Sequence, residues 1–302
     1  MENNSKNNIY LCSFADTRLG TSIYRFKLQA EAMNVFDDII IHTEASLPLD
    51  FKNYFKDKFY TKDKKITRGF GYWCWKPKVI LMTLEQMQEN DILLYLDIGF
   101  TFNPKKRKQL LEDLDFINKN EIVGLQSDFW IEKEWQKMDT LVFYGLHNNE
   151  KFLNSFTYEA GFIGIKKTTQ NIKIIQEWMD VYYQHWNFID DSPSRLQNFK
   201  CFKENRHDQS IWNILREKYN IVSVGGREYH TNKKAILYAR NKIFFPDKLS
   251  KLEEIEDMVN GKDSLIYKIG ELFFRANKTW YGGGYIKLLF KIRKLKREFK
   301  NR

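Results

Sequence analysis

Residues 68–99 read RGFGYWCWKPKVILMTLEQMQENDILLYLDIG, and few architectures accommodate that order. A loop punctuated by glycines carries aromatics and cations. After Pro77, the apolar residues Val79, Ile80, Met82, Leu84 and Met87 recur at helical spacing. Pro77 suits a first helical turn, where its missing N–H costs nothing. Asn90 and Asp91 break the pattern, and Ile92–Leu96 is then an unbroken apolar run of strand length. Such a run belongs to a strand covered on both faces. It ends on Asp97, with Gly99 two residues later. Open α/β sheets bind ligands at the carboxyl ends of their strands, so a carboxylate there faces a ligand or a metal. It can equally cap the next turn, with Gly99 supplying a positive φ. The stretch alone leaves both readings open.

The flanking segments extend the pattern. Ile9–Phe14 (IYLCSF) predicts a first strand, residues 24–33 a helix, and Asp38–His42 (DIIIH) a second strand. Strand, helix, strand in that order argues for a parallel α/β sheet. Ser13 and Phe14 fall at the carboxyl end of the first strand, where a nucleotide base or ribose often sits and where ordinary packing is an equal alternative. A helix and loop are expected over 50–65, a polar helix over 104–114 and a strand over 121–126. Residues 128–139, with Trp130 and Trp135, read as a surface lid or helix. Residues 158–166 (YEAGFIGIK) read as a strand whose glycines, Gly161 and Gly164, mark the close approach of a ligand or of another backbone. Residues 171–186 predict an aromatic helix and 190–193 an irregular polar segment. Residues 206–219 (RHDQSIWNILREKY) predict a helix with Asp208 in its first turn, and 221–224 a last strand before a loop containing Tyr229 and His230. A carboxylate at a helix start is favoured in its ionised form, which serves a cap or a base alike.

At 302 residues, 43% hydrophobic and 16% aromatic, the chain can build a substantial core. Cys12, Cys74 and Cys201 are far apart, without metal spacing, and read as reduced thiols of a cytoplasmic protein. The polar start, MENNSKNN, lacks a signal-peptide core, and no charge-free run reaches transmembrane length. The net charge is +10, yet from position 287 onward eight Lys/Arg face one acid, so most of the excess belongs to the end of the chain. Tyr285, Leu288, Leu289, Ile292, Leu295 and Phe299 share one face there, opposite the basic residues. That pattern fits a helix lying on an anionic membrane over 285–302, or a helix packed on its own domain with a solvated basic face. The expected division is a catalytic domain over 1–245 and a helical region over 246–302. The nearly neutral body offers no face for nucleic acid.

Two carboxylates stand out by position, Asp97 and Asp208. Around them the sequence supplies cations (Arg68, Lys76, Lys78, Arg206), aromatics (Tyr72, Trp73, Trp75) and histidines (His207, His230). Cations neutralise a diphosphate, aromatics stack on a base or a sugar, and a hard divalent ion takes oxygen ligands such as Asp97. Together they suit a sugar nucleotide. No Walker loop, strand-linked GxGxxG or GxSxG elbow is present, which argues against ATP, NAD and a serine nucleophile.

RGFGYWCWKP, a helix and then DILLYLDIG resemble the bacterial GT-A-type glycosyltransferases of capsule, O-antigen and lipooligosaccharide synthesis, nearest the group that contains galactofuranosyltransferases. EAGFIGIKK and RHDQSIWNILREKY resemble later blocks of that group. The resemblance spans roughly residues 8–235. It implies a GT-A-like, Rossmann-type mixed α/β sheet flanked by helices, with the basic helical tail outside it. It implies transfer from a nucleotide sugar, such as a UDP-hexose or UDP-galactofuranose, to a glycan or lipid-linked acceptor at the inner face of the cytoplasmic membrane. Asp97 matches the metal and ribose aspartate, but Gly99 stands where a second aspartate is usual. Either metal dependence is lost, or Mg²⁺ or Mn²⁺ is held by Asp97, the diphosphate and His230. Arg68, Trp75 and Lys76 match the donor-side loop, joined by Tyr72 and Ser13. Asp208 matches an acceptor-facing carboxylate and is the expected general base of an inverting displacement, with Glu159 the second candidate. The other class of function compatible with these residues is a non-catalytic, membrane-peripheral carbohydrate-binding or scaffold protein, which does not require Asp97 and Asp208 to converge.

Overall fold

The computed structural model describes residues 7–230, 234–238 and 242, and the positions 268–270, 272, 276, 288, 291–295, 297 and 298. Its strands are β1 (Ile9–Phe14), β2 (Asp38–His42), β3 (Ile92–Leu96), β4 (Thr101–Phe102), β5 (Ile122–Ile131), β6 (Phe156–Lys166), β7 (Val222–Gly225) and β8 (Ile236–Leu237). Six of them form one sheet in the order β2-β1-β3-β6-β5-β7, while β4 pairs with β8 apart from it. β1 runs parallel to β2 and β3, and β5 parallel to β7. β6 is antiparallel to both its neighbours. The sheet is therefore mixed, where the first strand, helix and strand alone point to a parallel one. The reversed strand enters late in the chain, beyond the reach of that local order.

β3 shows why its sequence is apolar throughout. Ile92, Leu94 and Leu96 pack with one core cluster, Leu93 and Tyr95 with the other. The first cluster lies under the helices Gly20–Met33 and Arg107–Asn120. The second lies under Trp75–Gln86, Thr169–Gln184 and Asp208–Tyr219. A strand between two helical layers has no face for a polar residue. Gly164 of β6 answers to the same packing, since a Cβ there would lie 2.4 Å from the Ile117 side chain.

Residues 128–139, expected as a surface lid or helix, divide between strand and helix. β5 continues through Trp130 to Ile131, which pairs with Phe156; a 3-10 turn, Glu132–Glu134, follows, and an α-helix begins at Met138–Phe143. Beyond its pairing with β7, residues 128–131 are half-exposed or exposed throughout, so no buried periodicity marks the strand among mixed charges. Near the end of the chain, Gly270 packs against Gly20 and Tyr24 of the first helix, and Ile269, Ala276 and Leu288 are buried. The boundary at 245/246 and most of 285–302 lie outside the described residues. Among those described, no helix is long and apolar enough to cross a membrane.

Candidate active site

β3 delivers Asp97 to the carboxyl edge of the sheet, and the loop after it is held from behind. The buried Arg25 guanidinium donates to the carbonyls of Ile98 (2.5 Å) and Phe100 (2.6 Å). The Asp97 N–H donates to the Gly161 carbonyl of β6. Gly161 fits closely opposite it: a Cβ would stand 3.1 Å from Asp97 Oδ2 and 3.2 Å from the Phe100 ring, and both would have to shift by a few tenths of an ångström. The close approach marked by this glycine is thus made by the Asp97 carboxylate itself.

β6 also breaks register here. Gly124 of β5 faces Ile163, but the next residue, Leu125, faces Glu159. The bulge leaves Ala160, Gly161 and Phe162 without partners on β5, and bulges beside sites re-aim backbone groups in this way. The Ala160 carbonyl turns to the Lys76 ammonium at 3.1 Å.

Lys76 is the second residue of the Trp75–Gln86 helix and is 2% exposed. Its ammonium lies 3.2 Å from Asp97 Oδ1 and 2.5 Å from Asp208 Oδ2. With the Ala160 carbonyl, these acceptors take up all three of its protons. Tyr95 donates its hydroxyl to Asp97 Oδ1 at 2.8 Å. Burial disfavours charge throughout, but the outcomes differ. For Lys76, burial is outweighed by Asp208 and Asp97, and its pKa rises. For Asp97, burial is outweighed by Lys76, Lys242 and the Tyr95 hydroxyl, and its pKa falls. For Asp208, burial prevails over Lys76, and its pKa rises. Two carboxylates on one ammonium are driven apart in proton affinity, an arrangement that active sites use to separate roles.

Asp208 is not the cap of its helix. The N-cap is His207, whose φ of +56° and ψ of −116° are strained for a residue with a side chain. That backbone turns Asp208 inward to Lys76, while His207 Nδ1 meets the Ile189 carbonyl at 2.6 Å. Burial holds the His207 pKa below its ordinary value.

The aromatic loop is strained as well. Gly69, Phe70, Gly71, Tyr72 and Trp73 all have positive φ, a left-handed turn of five consecutive residues. It is held by the Trp75 indole N–H on the Gly69 carbonyl (3.0 Å), by Thr67 Oγ1 on the Gly71 N–H (2.9 Å) and by the Phe59–Phe70 stack. The turn presents Trp73, stacked on the His207 ring at 5.5 Å, to the cleft.

These elements enclose two adjoining cavities. The larger, about 360 Å³, is walled by Lys76, Asp97, Glu159, Arg206, Asp208 and Gln209 among others. The smaller, about 190 Å³, lies beyond the end of β1 against Phe14, Asp16, Arg18 and Trp75. Phe14 and Trp75 stack at 3.9 Å. Trp73, Asp97 and Lys242 line both cavities. The Arg206 guanidinium lies over both Trp130 and Trp135, 4.1 and 4.0 Å from their rings, which themselves pack 5.4 Å apart. Arg68 stands at the mouth in ion pairs with Asp191 (3.5 Å) and Glu204 (3.4 Å).

Of the residues expected from the sequence, Arg68, Lys76, Asp97, Glu159 and Asp208 therefore meet in one cavity, and Trp75 lines its neighbour. Ser13 and Tyr72 are not among the described residues of either wall. Ser13 is fully buried and gives its hydroxyl to the Leu96 carbonyl at 2.7 Å. Tyr72 packs behind the wall on Trp186 and His207. His230 closes a 3-10 turn, Arg227–His230, and its side chain lies outside the described residues. Asp16, Arg18 and Lys242 carry no sequence signal that separates them from the chain's other charged residues.

The divalent ion implied by the resemblance is poorly matched by these residues. Gly99 offers no ligand, Asp97 Oδ1 is already shared by an ammonium and a hydroxyl, and the cation between the two carboxylates is the chain's own. Among the described residues, no group of three or more His, Cys, Asp or Glu is placed to hold a metal.

Residues 204–301 match the family model described as "Domain of unknown function (DUF8374)". No curated protein matches the sequence. Among solved structures, a glycosyltransferase involved in glycosylation of the major capsid of PBCV-1 is similar over 83% of this chain and 98% of its own, with 14% identity and a TM-score of 0.42. GlyE of Streptococcus pneumoniae TIGR4 is similar over 75% of this chain and 47% of its own, with 13% identity and a TM-score of 0.39. The galactosyltransferase LgtC, in complex with donor and acceptor sugar analogues, is similar over 78% of this chain and 84% of its own, with 13% identity and a TM-score of 0.39.

Proposed function

We propose that this chain is a glycosyltransferase that moves a sugar from a nucleotide-sugar donor to a glycan or lipid-linked acceptor. The observation that carries the reading is the convergence of Asp97 and Asp208 on Lys76 in a cavity that adjoins a second, aromatic-walled one. A carbohydrate-binding scaffold has no need of that convergence. The nucleoside enters the smaller cavity, on the aromatic side walls of Phe14 and Trp75. The sugar enters the larger, beside Asp97, Glu159 and Asp208.

Asp208 is the general base. Its raised proton affinity suits it to take the proton from an acceptor hydroxyl as that oxygen attacks the anomeric carbon. The nucleoside diphosphate departs from the opposite face, so the anomeric centre inverts. The donor class is a UDP-hexose or UDP-galactofuranose, and the product a surface polysaccharide such as capsule or lipopolysaccharide, on the strength of the sequence resemblance. The acceptor lies at an anionic membrane surface on the cytoplasmic side, approached through 285–302. Exposed Lys291, Arg293, Lys294 and Arg297 beside buried Leu288 support this.

Purified protein screened against UDP-, GDP- and CMP-sugars, UDP-galactofuranose included, tests the reading. Binding and slow hydrolysis of one nucleotide class, lost in Asp97→Ala, is the expected result. Silence across the panel, with retained binding to glycans, sinks it in favour of a carbohydrate-binding protein. A retained anomeric configuration in the product, read by NMR, overturns the inverting mechanism.

A further inference from the structure

We infer that this chain binds its donor without a divalent metal, the diphosphate being compensated by side-chain cations with Lys242 at the centre. The inference rests on the donor-site reading above and adds to it the ion chemistry.

Three observations carry it. First, the place between Asp97 and Asp208 is filled by a cation that cannot leave: Lys76 is buried, and its three protons are committed to Asp97, Asp208 and the Ala160 carbonyl. A divalent ion brought to Asp97 would face that ammonium across one carboxylate and Lys242 from the open side, and like charges at such range repel. Second, Gly99 removes the side chain that could offset the repulsion with another oxygen ligand. Third, a nucleoside in the smaller cavity and a sugar in the larger are joined by a diphosphate that must cross the shared wall. That wall is Trp73, Asp97 and Lys242, and Lys242 is its cation. Arg68 and Arg206 line the larger cavity beyond it. Charge-assisted bonds from Lys and Arg are an established alternative to a metal for holding phosphate oxygens.

The test uses the full chain and three probes: inorganic pyrophosphate, UDP and GDP, titrated by calorimetry in EDTA and again in Mn²⁺. Mn²⁺ binding to the protein, with and without UDP, is followed by electron paramagnetic resonance. The expected affinities agree between the two buffers within about twofold, and Lys242→Gln weakens them about tenfold, the scale of one charge-assisted contact. Lys108→Gln, at a position that is 91% exposed on a distant helix, binds as the unaltered chain does. A tenfold gain in affinity with Mn²⁺, protein-bound Mn²⁺ in the spectrum, or a Lys242→Gln variant that binds normally overturns the inference while leaving a donor site in place. Failure of every probe in both buffers overturns the donor site itself.

Discussion

The ammonium of Lys76 lies 2.5 Å from the Asp208 carboxylate, across the floor of a cleft that neither residue's own element could build. Asp97 joins them from the end of β3 at 3.2 Å. The cleft around this triad gives its two carboxylates different proton affinities.

Lys76→Met leaves two carboxylates side by side without the buried ammonium they share. Removing one partner of a buried pair costs about 3–5 kcal/mol. Urea melts are expected to show a loss of that order, and the double variant Lys76→Met/Asp208→Asn to recover part of it. Strict additivity of the two substitutions would show that they do not share one interaction.

The acid limb of turnover reports Asp208. A base acts only when deprotonated, and burial raises the Asp208 pKa above 3.8. The value of kcat/KM for transfer is therefore expected to rise with pH through a midpoint above that of an ordinary aspartate. Asp208→Asn abolishes the limb and lowers kcat by about a hundredfold or more. A limb that survives in Asp208→Asn assigns the base to Glu159.

Glu132 makes stability fall as pH rises. It is fully buried against Arg216 (3.0 Å) and Gln136 (2.9 Å), and burial pushes its pKa from 4.5 up to about 7. The folded state then holds a proton that the unfolded chain releases first. This contribution is complete below about pH 4.5 and is lost as pH climbs to about 7, at up to about 1.4 kcal/mol per pH unit. Glu132→Gln is expected to flatten that portion of the curve of unfolding free energy against pH. Parallel curves for the two proteins would mean that Glu132 titrates normally.

The two glycines of β6 separate packing from chemistry. Gly164→Ala drives a methyl into Ile117 and is expected to cost about 1–3 kcal/mol in melting experiments, with turnover of the folded protein unchanged. Gly161→Ala pushes on Asp97 and Phe100, and is expected to cut turnover about tenfold to a hundredfold with a smaller loss of stability. Equal effects of the two on turnover would remove Gly161 from the positioning of Asp97.

Much of this was legible in the chain. Ile9–Phe14, Asp38–His42 and Ile92–Leu96 are strands with the very limits their apolar runs suggest. The carboxylate at the end of β3 sits at the sheet's ligand edge, and Asp208 opens its helix. Ser13 shows where such reading stops, since a strand-end serine can face a ligand or, as here, the next strand's carbonyl. Trp130 shows it too: β5 runs on beyond its pairing with β7, and its half-exposed residues there conceal a strand.

Local sequence thus determined the periodic elements, because burial on one or both faces writes itself into residue spacing. It also determined which charges and aromatics stand at element ends. Tertiary structure alone decided the antiparallel placement of β6, the bulge that aims the Ala160 carbonyl at Lys76, and the meeting of Asp97, Lys76 and Asp208. It also placed Lys242 where the two cavities join. Those features depend on strand order and on long-range ion pairs. Neither leaves a periodic trace, because the energy that selects them arises only once distant segments share one low-dielectric cleft.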